Sequence, residues 1–375
     1  VPFCRKKCGY CSFYSENVSP EKKKKYLLSL QEEINLSKLS FKLQPRTIYF
    51  GGGTPSLLSG REIGTILKNF DLSEIEEITL EANPISISSD YAKSISQTWI
   101  NRISLGIQSF RDQDLQLLNR LHTAKQAEDA FHILRQSNFK NISLDMIYGL
   151  PNQKESDLLF SLKKFIELQP EHISTYCLSL DNDAPLFYLK DQLPSDEIVS
   201  KFYFLIREKL LQAGYLQYEI SNFARSGFES KHNCSYWNNE NYLGFGPAAS
   251  GYIDNFLQNI ETKSEGPQNR KKIRYTNTAD LKKHCRRIED KQLFYEYEEI
   301  SLETQEKEFI FLALRKTKGL NLAEFQRKFS IKFENKYKLI TDKFLSQNLL
   351  EIESGFVRLK PDAYFVSNEI LAEFM

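Results

Sequence analysis

The chain has 375 residues, 41% of them apolar and 26% charged, which is the composition of a globular protein with room for one large core and a smaller module. Fifty Lys and Arg face 49 Asp and Glu, so a formal charge of +1 gives no reason to expect a nucleic acid or another polyanion as partner. No apolar run reaches bilayer-spanning length and no segment reads as a signal peptide; the sequence opens at Val1 without an initiator Met, so a preceding segment stays open.

In chain order, the first half alternates short β-branched runs with amphipathic stretches. Strands are expected at 47–50, 78–81, 102–105, 142–147 and 172–180, and helices at 21–39, 60–69, 89–97, 124–137 and 156–168. Such strand–helix repeats indicate βαβ units around a parallel sheet. Together with a strand ending at residues 1–3 they predict an α/β fold, a partial (β/α)6 TIM-like barrel whose chemistry sits at the strand C-termini. Gly51-Gly52-Gly53, Glu81-Ala82-Asn83-Pro84, Gly106-Ile107-Gln108 and the segment from Asp145 to Pro151 all fall at those ends.

After residue 180 the pattern changes. A helix near 196–213 leads to a run at 218–223, an aromatic and Asn-rich stretch from His232 to Trp237, and a small-residue loop at 244–251. Residues 258–287 read as an irregular connection or an exposed, solvated helix. Helices at 306–317, 322–329 and 333–347, followed by a β-like 350–359, give the order of a winged-helix-like α+β domain. The expected division is 1–182 for the core, 183–296 for an extension and connection, and 297–375 for the C-terminal domain.

Six cysteines in so long a chain are not a disulfide scaffold, which points to the thiol-reducing cytoplasm. Three of them form Cys4-x-x-x-Cys8-x-x-Cys11. Three thiolates can each hold one iron of a [4Fe–4S] cubane and leave the fourth iron open, whereas ordinary cubanes take four cysteines. An open iron can chelate the amino and carboxylate groups of S-adenosylmethionine (SAM), whose reductive cleavage yields a 5′-deoxyadenosyl radical. A structural zinc knuckle is the alternative. It needs a fourth N or S ligand, and after Cys11 no Cys or His follows until His122.

With Tyr10 directly before the third cysteine, this loop resembles the signature of the radical SAM superfamily. Its flank, Val1-Pro2-Phe3-Cys4, is similar to the branch that holds oxygen-independent coproporphyrinogen III oxidases and heme chaperones of the HemW type, and the likeness runs to the far end of the chain. The resemblance implies Cys4, Cys8 and Cys11 as cluster ligands. It puts Gly52, Gly53 and Thr54 at the methionine moiety of SAM, Tyr10 against SAM, and Glu81, Gln108, Arg120 and Asp145 around the rest of it. Arg120 suits the SAM carboxylate as a permanent fork of donors, Glu81 the ribose or ammonium, and Gln108 and Asp145 the ribose or adenine edges. No residue is assigned a catalytic role.

Two features separate the members of that branch. The oxidase has a further Cys two residues after the third; here that position is Phe13, which favours the heme-chaperone reading over porphyrinogen oxidation. His232-Asn233-Cys234-Ser235-Tyr236-Trp237 resembles the His-Asn-x-x-Tyr-Trp motif of the chaperones, whose His is implicated in heme binding. An imidazole can ligate heme iron, but a buried, hydrogen-bonded His232 among core aromatics is an equal alternative. The implied partners are heme, an acceptor protein for it, and an electron donor such as a flavodoxin or ferredoxin. Any membrane association would be peripheral, through the acceptor, and the protein a monomer or dimer. In one departure, Ala248 and Ser250 stand where relatives carry Gly and His.

Overall fold

Two short strands, β1 (Phe3–Cys4) and β2 (Glu16–Asn17), pair in parallel and lead into helix α1 (Pro20–Ser40). Five longer strands follow in the computed structural model, which describes residues 1–41, 43–254, 272–294 and 296–375. They are β3 (Thr47–Phe50), β4 (Glu77–Ala82), β5 (Arg102–Gln108), β6 (Ile142–Tyr148) and β7 (His172–Cys177). All five are parallel neighbours in sequence order, with helices α2 (Gly60–Leu67), α3 (Ser89–Ser96), α4 (Asp112–Leu117), α5 (Ala124–Gln136) and α6 (Glu155–Glu167) in the connections. Helix starts follow local chemistry: Ser59 with Glu62, and Thr123 with Gln126, form reciprocal capping boxes.

The period-2 alternation divides the sheet into two chemically different faces. Ile48, Ile78, Leu80, Ile103, Leu105, Ile142, Leu144 and Ile173 face the helices and join one apolar core. The opposite face carries polar groups, paired across the strands as Tyr49 with Thr79, Thr79 with Arg102, Glu81 with Ser104, and Asp145 with Ser174. Helix α7 (Asp196–Gln212) precedes two strands, β8 (Leu216–Gln217) and β9 (Asn222–Ala224), that extend the sheet, β9 pairing antiparallel with β7 and β8 antiparallel with β9. The seven-stranded order is β3-β4-β5-β6-β7-β9-β8.

The N-terminal strand differs from expectation in its place. Only Phe3 and Cys4 are extended, and they do not enter the ladder of β3; Gly53 and Thr54, beyond the end of β3, donate their N–H groups to the carbonyls of Val1 (2.8 Å) and Phe3 (2.7 Å). The last parallel strand also stops at Cys177, short of residue 180.

Helix α8 (Lys231–Trp237) closes the polar face. Its N-terminal groups converge on the buried carboxylate of Glu77: the N–H of Lys231 at 2.9 Å, the N–H of His232 at 3.1 Å and the Ser230 hydroxyl at 3.3 Å. Arg102, 2% exposed, stands 4.0 Å from the same carboxylate. Strands β10 (Ser250–Asp254), β11 (Lys272–Thr276) and β12 (Glu296–Ile300) form an antiparallel sheet, with helix α9 (Leu281–Glu289) between the last two. The stretch 258–287, expected as an irregular connection or an exposed helix, lies partly outside the described residues. Where it is described it is regular, because Leu281, His284, Cys285 and Ile288 recur at helical spacing and bury one face of α9.

The C-terminal part matches the expected order. It comprises α10 (Leu302–Arg315), β13 (Leu320–Asn321), α11 (Leu322–Phe329), α12 (Phe333–Lys336), α13 (Lys338–Ser346) and the hairpin β14 (Leu350–Glu353) with β15 (Phe356–Leu359). Helix α10 starts before the apolar period does, because the Ser301 hydroxyl caps the N–H of Thr304. Phe309, Phe325, Phe333, Tyr337 and Phe374 pack as neighbouring rings in its core. This part grips α8 through Arg315 over the Trp237 ring (5.1 Å) and Lys316 on Asn238 (2.7 Å).

Glu77 therefore anchors α8 and balances Arg102. Its replacement by Ala leaves a buried cation and a helix N-terminus unanswered, and should lower stability by about 3–5 kcal/mol in chemical denaturation. A loss under about 1 kcal/mol, the size of a surface pair, would show that the buried network is not structural.

Candidate functional site

The cysteine loop is held from three sides. At its start Cys4 belongs to β1, and the Thr54 hydroxyl donates to its sulfur (3.4 Å). In the middle, Gly9 donates to the Leu118 carbonyl (3.0 Å) and accepts from the N–H of Leu186 (2.8 Å). A Cβ at Gly9 would lie 2.5 Å from the Leu186 side chain, which would have to shift to admit one. Near its end a turn brings the N–H of Cys11 to the Cys8 carbonyl (3.3 Å). All three thiols are free and partly exposed. Among the described residues no three His, Cys, Asp or Glu side chains converge as on a single metal ion, and a cubane does not ask for that, because each thiolate takes a different iron.

Arg120 joins this loop to the sheet. It follows α4, and its guanidinium donates to Cys8 Sγ (3.2 Å), to the Tyr10 hydroxyl (3.5 Å) and to the Gly106 carbonyl in β5, while its Nε is buried without a partner. At the end of β5, Gln108 sits at φ 75°, in the left-handed region that non-glycine residues avoid, after an irregularity in the β5–β6 register. Its side chain is 8% exposed and its Oε1 is buried with no hydrogen-bond partner. A buried, unsatisfied amide on a left-handed backbone makes Gln108 a candidate for a ligand contact.

Glu81 and Asp145 face each other across the polar side of the sheet. The Tyr49 hydroxyl donates to Glu81 Oε1 (2.7 Å), and the N–H of Gly52 also serves this carboxylate. Burial nonetheless pushes Glu81 up to about 7, with the Asp145 charge acting in the same sense. Asp145 accepts from Ser104 (3.3 Å) and is likewise raised by burial, against hydrogen bonds from Ser174 and Ser104. Tyr10, beside Arg120, is raised by burial.

The glycine run does more than leave room for a ligand. Gly52 is at φ 106°, and a Cβ on Gly53 would stand 2.6 Å from the Phe3 carbonyl oxygen. The N–H groups of Gly53 and Thr54 are committed to β1, so what this loop has left for a ligand is carbonyl oxygen.

His232 lies elsewhere. It is held at the opposite, N-terminal end of β3: Thr47 Oγ1 is 2.8 Å from Nδ1 and the Tyr236 hydroxyl 3.0 Å from Nε2. Burial lowers the imidazole to about 4, so it is neutral at pH 7. The contacts of His232 are with Thr47, Tyr49, Glu77 and Tyr236; its link to the other group is Tyr49, whose ring stacks on the imidazole at 4.9 Å and whose hydroxyl holds Glu81. Tyr49 and Arg102 were absent from the candidates drawn from sequence. Period 2 in Thr47–Phe50 was the available signal, since it puts Tyr49 on the face of Thr47, opposite Ile48 and Phe50.

In the 244–251 loop Ala248 sits at φ 58°, a conformation that suits the Gly expected there, and the exposed Ser250 hydroxyl pairs with Thr276 (3.0 Å). The loop is tied to α1 by the buried Glu33, which accepts from the N–H of Gly246 (2.8 Å) and from Asn277 (3.0 Å).

Gly53→Ala should free the cysteine loop, because the new methyl and the Phe3 carbonyl cannot share one place. We expect Cys4 in the metal-free protein to be alkylated several-fold faster, read by mass spectrometry of labelled peptides. An unchanged rate would show that β1 is positioned by something other than this contact.

Comparison with known proteins bears on the family and the fold. The Radical SAM superfamily profile matches residues 1–165 and the HemN C-terminal domain profile residues 300–366. The heme chaperone HemW of Lactococcus lactis is 35% identical over 385 aligned residues, covering 100% of this chain and 96% of its own, and that of Bacillus subtilis is 31% identical, covering 100% and 97%. Among solved structures, the coproporphyrinogen III oxidase HemN from Escherichia coli, described as a radical SAM enzyme, superposes with a TM-score of 0.83 over 100% of this chain and 88% of its own; at 19% identity this shows the shared fold. On these likenesses over its whole length, the chain belongs to the HemW heme-chaperone family of the radical SAM superfamily.

Proposed function

We propose that the chain binds heme and passes it to an acceptor protein, with a [4Fe–4S] cluster on Cys4, Cys8 and Cys11 and SAM beside it. The observation that carries the cofactor reading is Gln108, strained and unsatisfied next to an arginine that touches Cys8. When bound, the cluster supplies an open iron and an electron, and SAM the sulfonium that can accept it. Arg120 fits the SAM carboxylate, and the carbonyls of the loop at Gly52, Gly53 and Thr54 fit its ammonium. Tyr10, Glu81, Gln108 and Asp145 fit the ribose and adenine. The domain division at 1–182, 183–296 and 297–375 belongs to this reading; a sheet of its own, β13-β15-β14, supports the last part, while β8 and β9 of the middle part complete the first sheet. So does a cytoplasmic setting, where thiols stay reduced; no described helix is long and apolar enough to cross a membrane.

The cluster needs a one-electron donor such as a flavodoxin or ferredoxin. Heme needs a neutral imidazole, which His232 offers at pH 7, at the expense of one of its two present hydrogen bonds. The alternative, a coproporphyrinogen oxidase-like enzyme, would use the same fold and cofactors. Phe13, 68% exposed where that enzyme has its further cysteine, argues against it, as does identity with HemW proteins over the full length.

Anaerobic heme titration tests the function. His232→Ala should weaken heme binding at least about tenfold, the effect of losing roughly 1.4 kcal/mol. Because His232 takes a proton only near pH 4, wild-type affinity should stay level from pH 8 to pH 6, while an ordinary imidazole would lose affinity across that range. Unchanged affinity in His232→Ala removes His232 from the heme site, and clear turnover of coproporphyrinogen III by the wild type favours the enzyme.

A further inference from the structure

The turn between the first two cysteines is Arg5-Lys6-Lys7, and all three side chains are exposed. None forms an ion pair or a hydrogen bond with another described residue. On α1 the exposed Lys22 is bridged to Glu16 and the half-buried Lys23 to Glu62. Two large aromatic side chains stand in open solvent, one just past the cysteine loop and one on a short helix bonded to it. Phe13, two residues after Cys11, is 68% exposed. Tyr188 is 72% exposed on the short helix Phe187–Gln192, which is bound to the cysteine loop by the hydrogen bond from Leu186 to Gly9. Uncompensated charge beside exposed aromatic rings is the make-up of a docking patch, in which charge steers the encounter and rings supply the contact.

We propose that Arg5, Lys6 and Lys7, with Phe13 and Tyr188, form the docking surface for an acidic one-electron carrier protein that reduces the cluster. The proposal rests on the cluster reading above. One electron leaves the reduced flavin or iron–sulfur centre of the carrier and enters the oxidised cubane; the carrier is oxidised by one electron, the cluster is reduced by one, and no bond or proton in this chain changes. The site suits that task because its cations sit between two of the ligands, so a carrier held there is next to the cluster. An anionic membrane fits less well, since lipid-binding basic clusters carry roughly four to eight cations and have no need of two free aromatic rings.

The test uses the full chain, anaerobically reconstituted, with flavodoxin hydroquinone as the probe and stopped-flow bleaching of the cluster absorbance as the readout. The wild-type rate should fall with ionic strength, and R5Q/K6Q/K7Q at low salt should react about tenfold or more slowly, with little salt dependence left. Reduction by photoreduced deazaflavin, a small neutral donor, should be equal in both proteins. If the triple variant loads less cluster, Lys6→Gln alone should still slow flavodoxin and spare deazaflavin. Equal flavodoxin rates in wild type and variants overturn the proposal while leaving the cluster reading intact. So does charge-dependent sedimentation with phosphatidylserine vesicles when flavodoxin rates are unchanged. A wild type that holds no cluster overturns both.

Discussion

Everything at the candidate site depends on how closely two backbones approach between Val1–Phe3 and Gly51–Thr54. The carbonyls of Val1 and Phe3 receive the N–H groups of Gly53 and Thr54, and the space a Cβ would take on Gly53 is filled by the Phe3 carbonyl. That contact fixes where β1 ends, and with it Cys4. Gly9, wedged against Leu186, fixes the middle of the loop, and Arg120 ties Cys8 to β5. Glycine is thus required here for approach of chain to chain before any ligand is considered.

The second constraint is a polar sheet face that is buried. Arg102, Glu77, His172 and Ser143 would be costly there if unpaired, and they are arranged so that most answer one another: Ser143 with His172 at 2.8 Å, His172 with Tyr218 at 2.8 Å, Glu77 with the start of α8. Such a face holds the cofactor candidates at one end and His232 at the other. Tyr49 touches both groups. The C-terminal part, by holding Trp237 and Asn238, stabilises the helix that carries His232.

Much of this was legible in the sequence for stated reasons. The parallel strands follow from period-2 runs bounded by helices, and the cysteine spacing with the interruptions at strand ends marked the rim where Glu81, Gln108, Arg120 and Asp145 stand. Less was legible where long-range contacts decide. A two-residue strand such as Phe3–Cys4 has no period of its own, and its place is set by a partner fifty residues away. The separation of His232 from the cysteines depends on Thr47, 185 residues away in the chain, which no motif links to it. The buried face of α9 was hidden by its Lys and Arg content, although Leu281, Cys285 and Ile288 carried the helical period.

The central claim is that Cys4, Cys8, Cys11 and the strand-end residues form one cofactor site. Electron paramagnetic resonance of the anaerobically reconstituted, reduced protein tests it most directly. The account predicts a cubane signal that SAM shifts in the wild type and that SAM leaves unshifted in Gln108→Ala, with iron content equal in the two. A protein that takes up zinc alone, or a cubane whose signal SAM does not alter in the wild type, would contradict it.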